Sequence, residues 1–260
     1  MILAIDIGNT TISCGLFRGR RLARHFTIPT SLAPHPTALA RRLKTKLAGA
    51  KIEQAILCSV VPQVTRTLPP ILRRLGIRPV AIVGQGIRVP LVNRYRYPRQ
   101  VGQDRLVGAY AAWESFGKGR GAGGRGQGKD VIVCDFGTAI TIDVVTKAGA
   151  YLGGIIAPGP GISLDALATR TALLPQVTLK RPPELLGRDT ANSIRSGILY
   201  GCAALCDGLV GQLQARYARK AVVVATGGAS PLLARYARSI DRLKPHLVLE
   251  GLKRLSALKY

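Results

Sequence analysis

One pattern in this chain occurs twice. ILAIDIGNTTISCGLF, starting at Ile2, carries a hydrophobic run into an aspartate, a glycine and two hydroxyls, then resumes alternating as a second strand. VIVCDFGTAITIDVV, starting at Val131, does the same. Ile5-Asp6-Ile7-Gly8-Asn9-Thr10 lines up with Cys134-Asp135-Phe136-Gly137-Thr138-Ala139. A single repeat this far apart implies two related domains, because a solenoid needs several short periods. The 260 residues suffice for two modest domains with their own cores. Two halves of similar design can face each other across a cleft.

Strand-like runs recur from Ile2 to Ile5, Thr11 to Phe17, Ala55 to Val61, Pro79 to Val83, Val131 to Cys134, Ala139 to Val145 and Val222 to Ala225. Helical patterns lie between them: Leu39, Leu43 and Leu47 spaced by four, an apolar stretch from Leu106 to Trp113, and a long amphipathic stripe from Ile194 to Leu213. Mixed elements of this kind define an α/β chain. GKGRGAGGRGQGKD, starting at Gly117, reads as a flexible basic loop. The expected division is therefore 1–118, a loop over 119–129, and 130–260, with a first-half helix able to reach across the boundary.

A strand ending in aspartate puts a carboxylate at the sheet edge, and glycine two residues later lets backbone approach a ligand closely. Thr10 and Thr11 add hydroxyls, and turn N–H groups can point at phosphate oxygens. An ordinary hairpin, in which Asp and Asn favour the turn, is the plain alternative. Asp6 and Asp135 would repel each other in an empty cleft but could hold cations against a nucleotide; magnesium takes one or two carboxylates plus substrate phosphates.

In NRYRYPRQVGQDRLVGAYAAW, from Asn93, Gly102 precedes Asp104-Arg105 and a helical pattern follows. Asp104 then falls in a first helical turn, where the helix dipole keeps a carboxylate ionised. Such an acid can take a hydroxyl proton while the arginine grips an anion; a cap with a surface salt bridge is the alternative. YLGGIIAPGPGIS, from Tyr151, is too rich in glycine and proline to predict regular structure. Thr190 or Asn192 is expected to cap the following helix, or Thr190 to turn its hydroxyl into a substrate pocket. VVVATGGAS, from Val222, empties a strand into Thr226-Gly227-Gly228, which permits close approach of a flat ligand.

Charge adds a bias without choosing a ligand. Lys and Arg number 38 against 13 Asp and Glu, a formal +25 that draws anions. Aromatics make up 5%, and the basic residues are dispersed, which disfavours a dedicated nucleic-acid reader. The five cysteines lack metal-ligand spacing and read as buried reduced thiols. No run of about 18 consecutive apolar residues and no leader pattern occur, so the expectation is a soluble cytoplasmic protein without a membrane partner.

With DIGNT at Asp6, SVVP at Ser59, YPRQVGQDR ending at Arg105, DFGTA at Asp135, GGIIAPG at Gly153, DTANSIRSG at Asp189 and TGG at Thr226, the chain resembles the type III pantothenate kinases. GxDR and DFGTA in this order are specific; TGG and DxGNT are shared more widely among related ATPases. The resemblance implies two ribonuclease H-like (actin-like ATPase) domains with a cleft between them, a homodimer, and transfer of the ATP γ-phosphoryl group to the terminal hydroxyl of pantothenate, the first step of coenzyme A synthesis. By position it implies that Asp6, Ile7, Gly8, Asn9, Thr10, Thr11, Ile12 and Ser13 form the phosphate-binding hairpin, with Asp6 positioning Mg2+. It makes Asp104 the general base. Tyr95, Gly102, Gln103, Asp104, Arg105 and Thr190 would contact pantothenate, Asp135 would bind K+ or NH4+, and Thr138 would contact ATP. Ser13 stands where many relatives carry lysine, so the resemblance leaves one phosphate contact either absent or supplied by another basic residue. Two alternatives stay open: a nucleic-acid-binding transcription accessory protein, and a kinase of another small alcohol.

Overall fold

The computed structural model describes residues 1–119 and 128–258, so most of the glycine-rich segment lies outside the described residues. In chain order the elements are β1 (Ile2–Ile7), β2 (Thr11–Arg18), β3 (Arg21–Pro29), α1 (Pro36–Leu47), β4 (Gln54–Ser59), α2 (Pro62–Arg74), β5 (Val80–Val83), β6 (Gly86–Ile87), β7 (Val92–Asn93) and α3 (Gln103–Ala112). They continue with β8 (Val131–Phe136), β9 (Ala139–Val145), β10 (Ala150–Pro158), α4 (Pro160–Arg170), α5 (Thr190–Arg216), β11 (Val222–Thr226), α6 (Ser230–Leu233), β12 (Arg242–Leu243) and α7 (Leu247–Leu255).

Two compact units result: Met1–Leu91 with Tyr97–Ala111 and Val248–Tyr260, and Val92–Arg96 with Ala112–Leu247. The chain therefore changes unit four times, after Leu91, Arg96, Ala111 and Leu247, where sequence predicts one boundary near 119–129 with a first-half helix able to reach across it.

The first unit holds a six-stranded sheet in the order β3-β2-β1-β4-β5-β6. Strand β1 is central, antiparallel to β2 and parallel to β4, which is why ILAIDI is apolar at nearly every position. One face, with Leu3, Ile5, Ile7, Ile12, Cys14, Leu16 and Leu57, packs on α1 and α2. Leu39, Leu43 and Leu47 are buried there, each burial worth roughly 2 kcal/mol. On the other face Leu249 of α7 reaches Gly15 of β2, where an added Cβ would lie 3.2 Å from its Cδ1. Gly251 of α7 packs on Val107 of α3 in the same close manner.

The second unit holds a sheet in the order β12-β11-β8-β9-β10-β7. Strand β8 is again central, antiparallel to β9 and parallel to β11. Ile132, Cys134, Phe136, Ile140 and Ile142 pack against Leu199, Cys202, Cys206 and Val210 of α5. Helix α5 is long and apolar enough to cross a membrane, its best 18-residue window having a mean hydropathy of 1.2. Its apolar stripe is spent on the sheet, as a core helix requires.

Two sequence expectations are corrected here. The segment after Tyr151 is not irregular: it forms β10, paired to β9 from Tyr151 to Pro158, and α4 follows. Its glycines are absorbed by a bulge between Tyr151 and Gly153, where Gly153 takes a φ of 127° that only glycine adopts freely, and Pro158 sits at the strand's last position. The cap of α5 is Asp189, whose carboxylate accepts the Asn192 backbone N–H at 2.8 Å; Thr190 is the first helical residue.

Candidate active site

Asp6, Ser13 and Cys58 are register partners on β1, β2 and β4, so their side chains share one face of the first sheet, opposite the α1–α2 core. Ile7 and Ile12 point into that core and offer a ligand only their main chain. Four residues, Gly8 to Thr11, connect the Ile7–Ile12 pair. The Gly8 N–H donates to Thr11 O at 3.0 Å and closes the turn, leaving Asn9 and Thr10 exposed at its tip. Thr30, just past β3, clasps the turn from outside: its N–H donates to Thr10 O at 3.0 Å and its Oγ1 to Gly8 O at 2.8 Å.

Asp104, in the first turn of α3, lies close enough to the Asp6 face for its charge to act on both Asp6 and Cys58. Its Oδ1 accepts the Arg105 N–H at 2.8 Å, folding the carboxylate back over Gly102. A Cβ at Gly102 would collide with that Oδ1 and lie 3.4 Å from Val60 Cγ1, so a side chain there would displace the Asp104 carboxylate. Burial, then the Asp104 charge, push the Asp6 carboxyl up to about 7, while the Cys58 thiol, donating to Asp6 Oδ1 at 3.4 Å, pulls it down. Burial and the same two carboxylates push the Cys58 thiol far up, so it serves as a donor and not as a nucleophile.

A buried acid whose ionisation a second acid makes costlier is a place where a cation is welcome. Among the described residues no group of three or more His, Cys, Asp or Glu side chains is placed to hold a metal. The Asp6–Asp104 donor set thus suits an ion that brings phosphate and water ligands with it, and not one caged by protein.

Of the remaining expected residues in this unit, Gln103 lays its amide on Gly84, where an added Cβ would be 3.2 Å from its Cδ. Ser13 Oγ shares a hydrogen bond with His25 Nε2 at 3.0 Å, which places an exposed imidazole beside the hairpin.

In the second unit Asp135 pairs with Thr141 and Thr226 and again faces away from the helix-covered core. The turn is one residue shorter, Gly137 to Ala139 connecting the Phe136–Ile140 pair. Two backbone segments close on it. Gly227, with φ 90°, leaves no room for a Cβ, which would collide with Asp135 Oδ1 and lie 2.7 Å from the Phe136 carbonyl carbon. The Gly159 N–H donates to Thr138 O at 3.2 Å, and a Cβ there would lie 2.7 Å from the Thr138 carbonyl carbon. The Ala229 N–H donates to Phe136 O at 3.0 Å, and Ser230 Oγ to Gly227 O at 2.7 Å. The Asp135 carboxylate is a hard-oxygen donor, suited to a hard cation. Thr138 is exposed at the tip.

Tyr95 and Thr190 also lie in this unit but apart. Tyr95 stacks on Gly153, an added Cβ there lying 3.2 Å from its Cδ2, and borders a hollow of about 460 Å³ lined on another side by Leu209, Gln212, Leu213 and Arg216 of α5 and by Tyr217 just after it. Thr190 is exposed at the opposite end of that helix.

Four residues escaped the sequence reading: Cys58, Thr30, and the buried pair in which Tyr151 OH donates to Asp143 Oδ1 at 2.7 Å. Only Thr30 left a legible signal, because Pro29-Thr30 after the third strand of one repeat answers Pro158-Gly159 after the third strand of the other.

The fold is that of actin-like ATPases, with two ribonuclease H-like domains. A Baf family transcriptional activator from Campylobacter jejuni superposes with a TM-score of 0.59 at 19% identity, covering 97% of this chain and 96% of that one. MreB 5 of Spiroplasma citri does so with 0.50 at 12%, covering 97% and 95%. The model of the type III pantothenate kinase family matches residues 2–212. Type III pantothenate kinases from Moorella thermoacetica (39% identical over 259 residues) and Anaeromyxobacter sp. strain K (40% over 258 residues) align over 97% of both chains. The chain belongs to the type III pantothenate kinase family.

Proposed function

We infer that the protein transfers the γ-phosphoryl group of ATP to the terminal hydroxyl of pantothenate, giving 4'-phosphopantothenate, the first step of coenzyme A synthesis. The observation that carries this reading is the meeting of Asp104 with Asp6 on one sheet face, in a chain of this family. Phosphoryl transfer mostly requires positioning and neutralisation of spread charge, and little covalent help from protein. Asp104 is the general base: held at a helix N-terminus and by the Arg105 N–H, it accepts the hydroxyl proton as the phosphoryl group arrives. Gly102 gives that carboxylate its room, Gln103 anchors the segment to Gly84, and Arg105 and Tyr95 bind pantothenate.

Asp6 to Ser13 form the phosphate cradle, and Thr138 contacts ATP. Asp6 would hold Mg2+, which when bound would neutralise developing negative charge. Asp135 would hold K+ or NH4+. Five cysteines that are all free and buried support a reducing, cytoplasmic setting.

The placement of Tyr95 and Thr190 supports a homodimer. Helix α5 rises about 1.5 Å per residue, so roughly 30 Å separate Thr190 from Leu209, which walls the Tyr95 hollow. Pantothenate is about as long as an extended tripeptide, roughly 10 Å. One molecule can meet both side chains only if Thr190 comes from a second copy. Mixing Tyr95→Ala and Thr190→Trp proteins under subunit exchange should then restore activity that neither has alone.

The test of the reading is a panel of acceptor alcohols with Mg-ATP and K+ or NH4+, with products identified by mass spectrometry. Pantothenate should give 4'-phosphopantothenate at the highest kcat/KM; preference for another alcohol or sugar would reassign the substrate.

A further inference from the structure

The two turns are clasped differently, and the difference falls on the turn assigned to phosphate. In each unit the residue that follows the third strand and a proline donates its N–H to the carbonyl of the residue at the tip: Thr30 to Thr10 O at 3.0 Å, Gly159 to Thr138 O at 3.2 Å. Only Thr30 has a side chain, and its Oγ1 makes a second bond, to Gly8 O at 2.8 Å. Thr30 is buried, 8% exposed, although the turn it holds is not.

We propose that Thr30 is a positioning residue for ATP, whose hydroxyl fixes the direction of the main-chain amides in the Gly8-Asn9-Thr10 turn; this rests on the reading of that turn as the phosphate cradle. A trans peptide is planar, with its C=O and N–H pointing opposite ways. Fixing Gly8 C=O toward Thr30 therefore turns the Asn9 N–H away from it, and fixing Thr10 C=O does the same for the Thr11 N–H. Both amides are thereby set toward the side opposite the clasp before any ligand arrives. Preorganised dipoles are worth more than mobile ones because the cost of ordering them is met in folding. The first turn, one residue longer and without the tight glycine packing of the second, has the greater need of such a clasp.

Thr30→Val keeps the shape and the backbone bond and removes only the hydroxyl; Thr30→Ser keeps the hydroxyl. Thr30→Val should raise KM for ATP about tenfold, the equivalent of one lost hydrogen bond, with KM for pantothenate unchanged, and Thr30→Ser should recover most of the loss. Calorimetric titration of each full-length variant with the non-hydrolysable analogue AMPPNP and Mg2+ should show the same ranking. Equal rises in both KM values, an ATP KM within twofold of wild type, or a serine variant no better than valine would overturn the proposal. Wild-type protein that binds AMPPNP but leaves pantothenate untouched would refute the substrate assignment instead, and the AMPPNP ranking of the variants would still decide the role of Thr30.

Discussion

The β1–β2 and β8–β9 hairpins start from the same design, an aspartate at the strand end and a glycine-led turn, and their surroundings make different instruments of them. Asp6 sits beside a thiol and within reach of a second acid, so its carboxyl is pushed up to about 7. Gly137 and Gly227 lie against the Asp135 carboxylate and Gly159 against the Thr138 and Gly137 carbonyls, and their missing side chains let main chain close on the turn. The first turn is longer and side-chain clasped; the second is shorter and built from backbone. A repeated motif fixes where an acid stands, and the neighbours decide what charge it tolerates.

The largest effect expected in the first unit is on rate. Asp104→Asn removes the base while keeping the shape, and should lower kcat by about 100-fold or more with an unchanged or higher melting temperature. A kcat within a few-fold of wild type would remove Asp104 from its role and with it the functional contrast between the hairpins.

The next effect separates the turns by sterics. Gly159→Ala should destabilise the protein by about 2 kcal/mol or more, because the new methyl meets the Thr138 carbonyl group and a shift of the turn is unavoidable. Gly8→Ala should cost far less, since its Cβ would lie 3.3 Å from Thr11 O and its φ is not positive. Melting curves that rank the two the other way would erase the distinction between a backbone-packed turn and an open one.

A smaller effect concerns pH. Asp6 keeps its proton in the folded state up to about 7, where an unfolded carboxyl has already lost it. The sign follows: this proton favours the folded state fully below about pH 4, and the contribution is lost as pH rises through 7. Asp6→Asn has no such loss, so its melting temperature relative to wild type should climb by several degrees between about pH 5 and pH 8. Mg2+ with AMPPNP should narrow the gap at pH 8 by stabilising the ionised wild-type carboxylate. A pH-independent gap would mean that neither burial nor Asp104 raises the Asp6 carboxyl in the folded protein.

Much of this was legible in sequence because it is local. Strand, turn and acid are neighbours in the chain, and Asp104 falls in the first turn of α3 as the glycine, the acid and the helical pattern indicate. What was not legible depends on register between distant strands. Nothing in LCS around Cys58 says that it lies beside Asp6, because that follows from parallel pairing of β1 with β4. The return of α7 to the first unit was equally hidden, since an amphipathic helix fits any apolar surface and only close packing on Gly15 and Val107 selects this one. The glycines of β10 misled for the opposite reason: composition suggested a loop, and pairing with β9 overrode it.

The most direct test of the central claim, that Asp6 and Asp104 face each other across one cation-seeking sheet face, is titration of the Asp6 carboxyl by carbon NMR in wild type and in Asp104→Asn. The account predicts a midpoint near 7 in wild type that falls in the variant and falls again when Mg2+ and AMPPNP bind. An Asp6 that titrates near 4 in both proteins would contradict it.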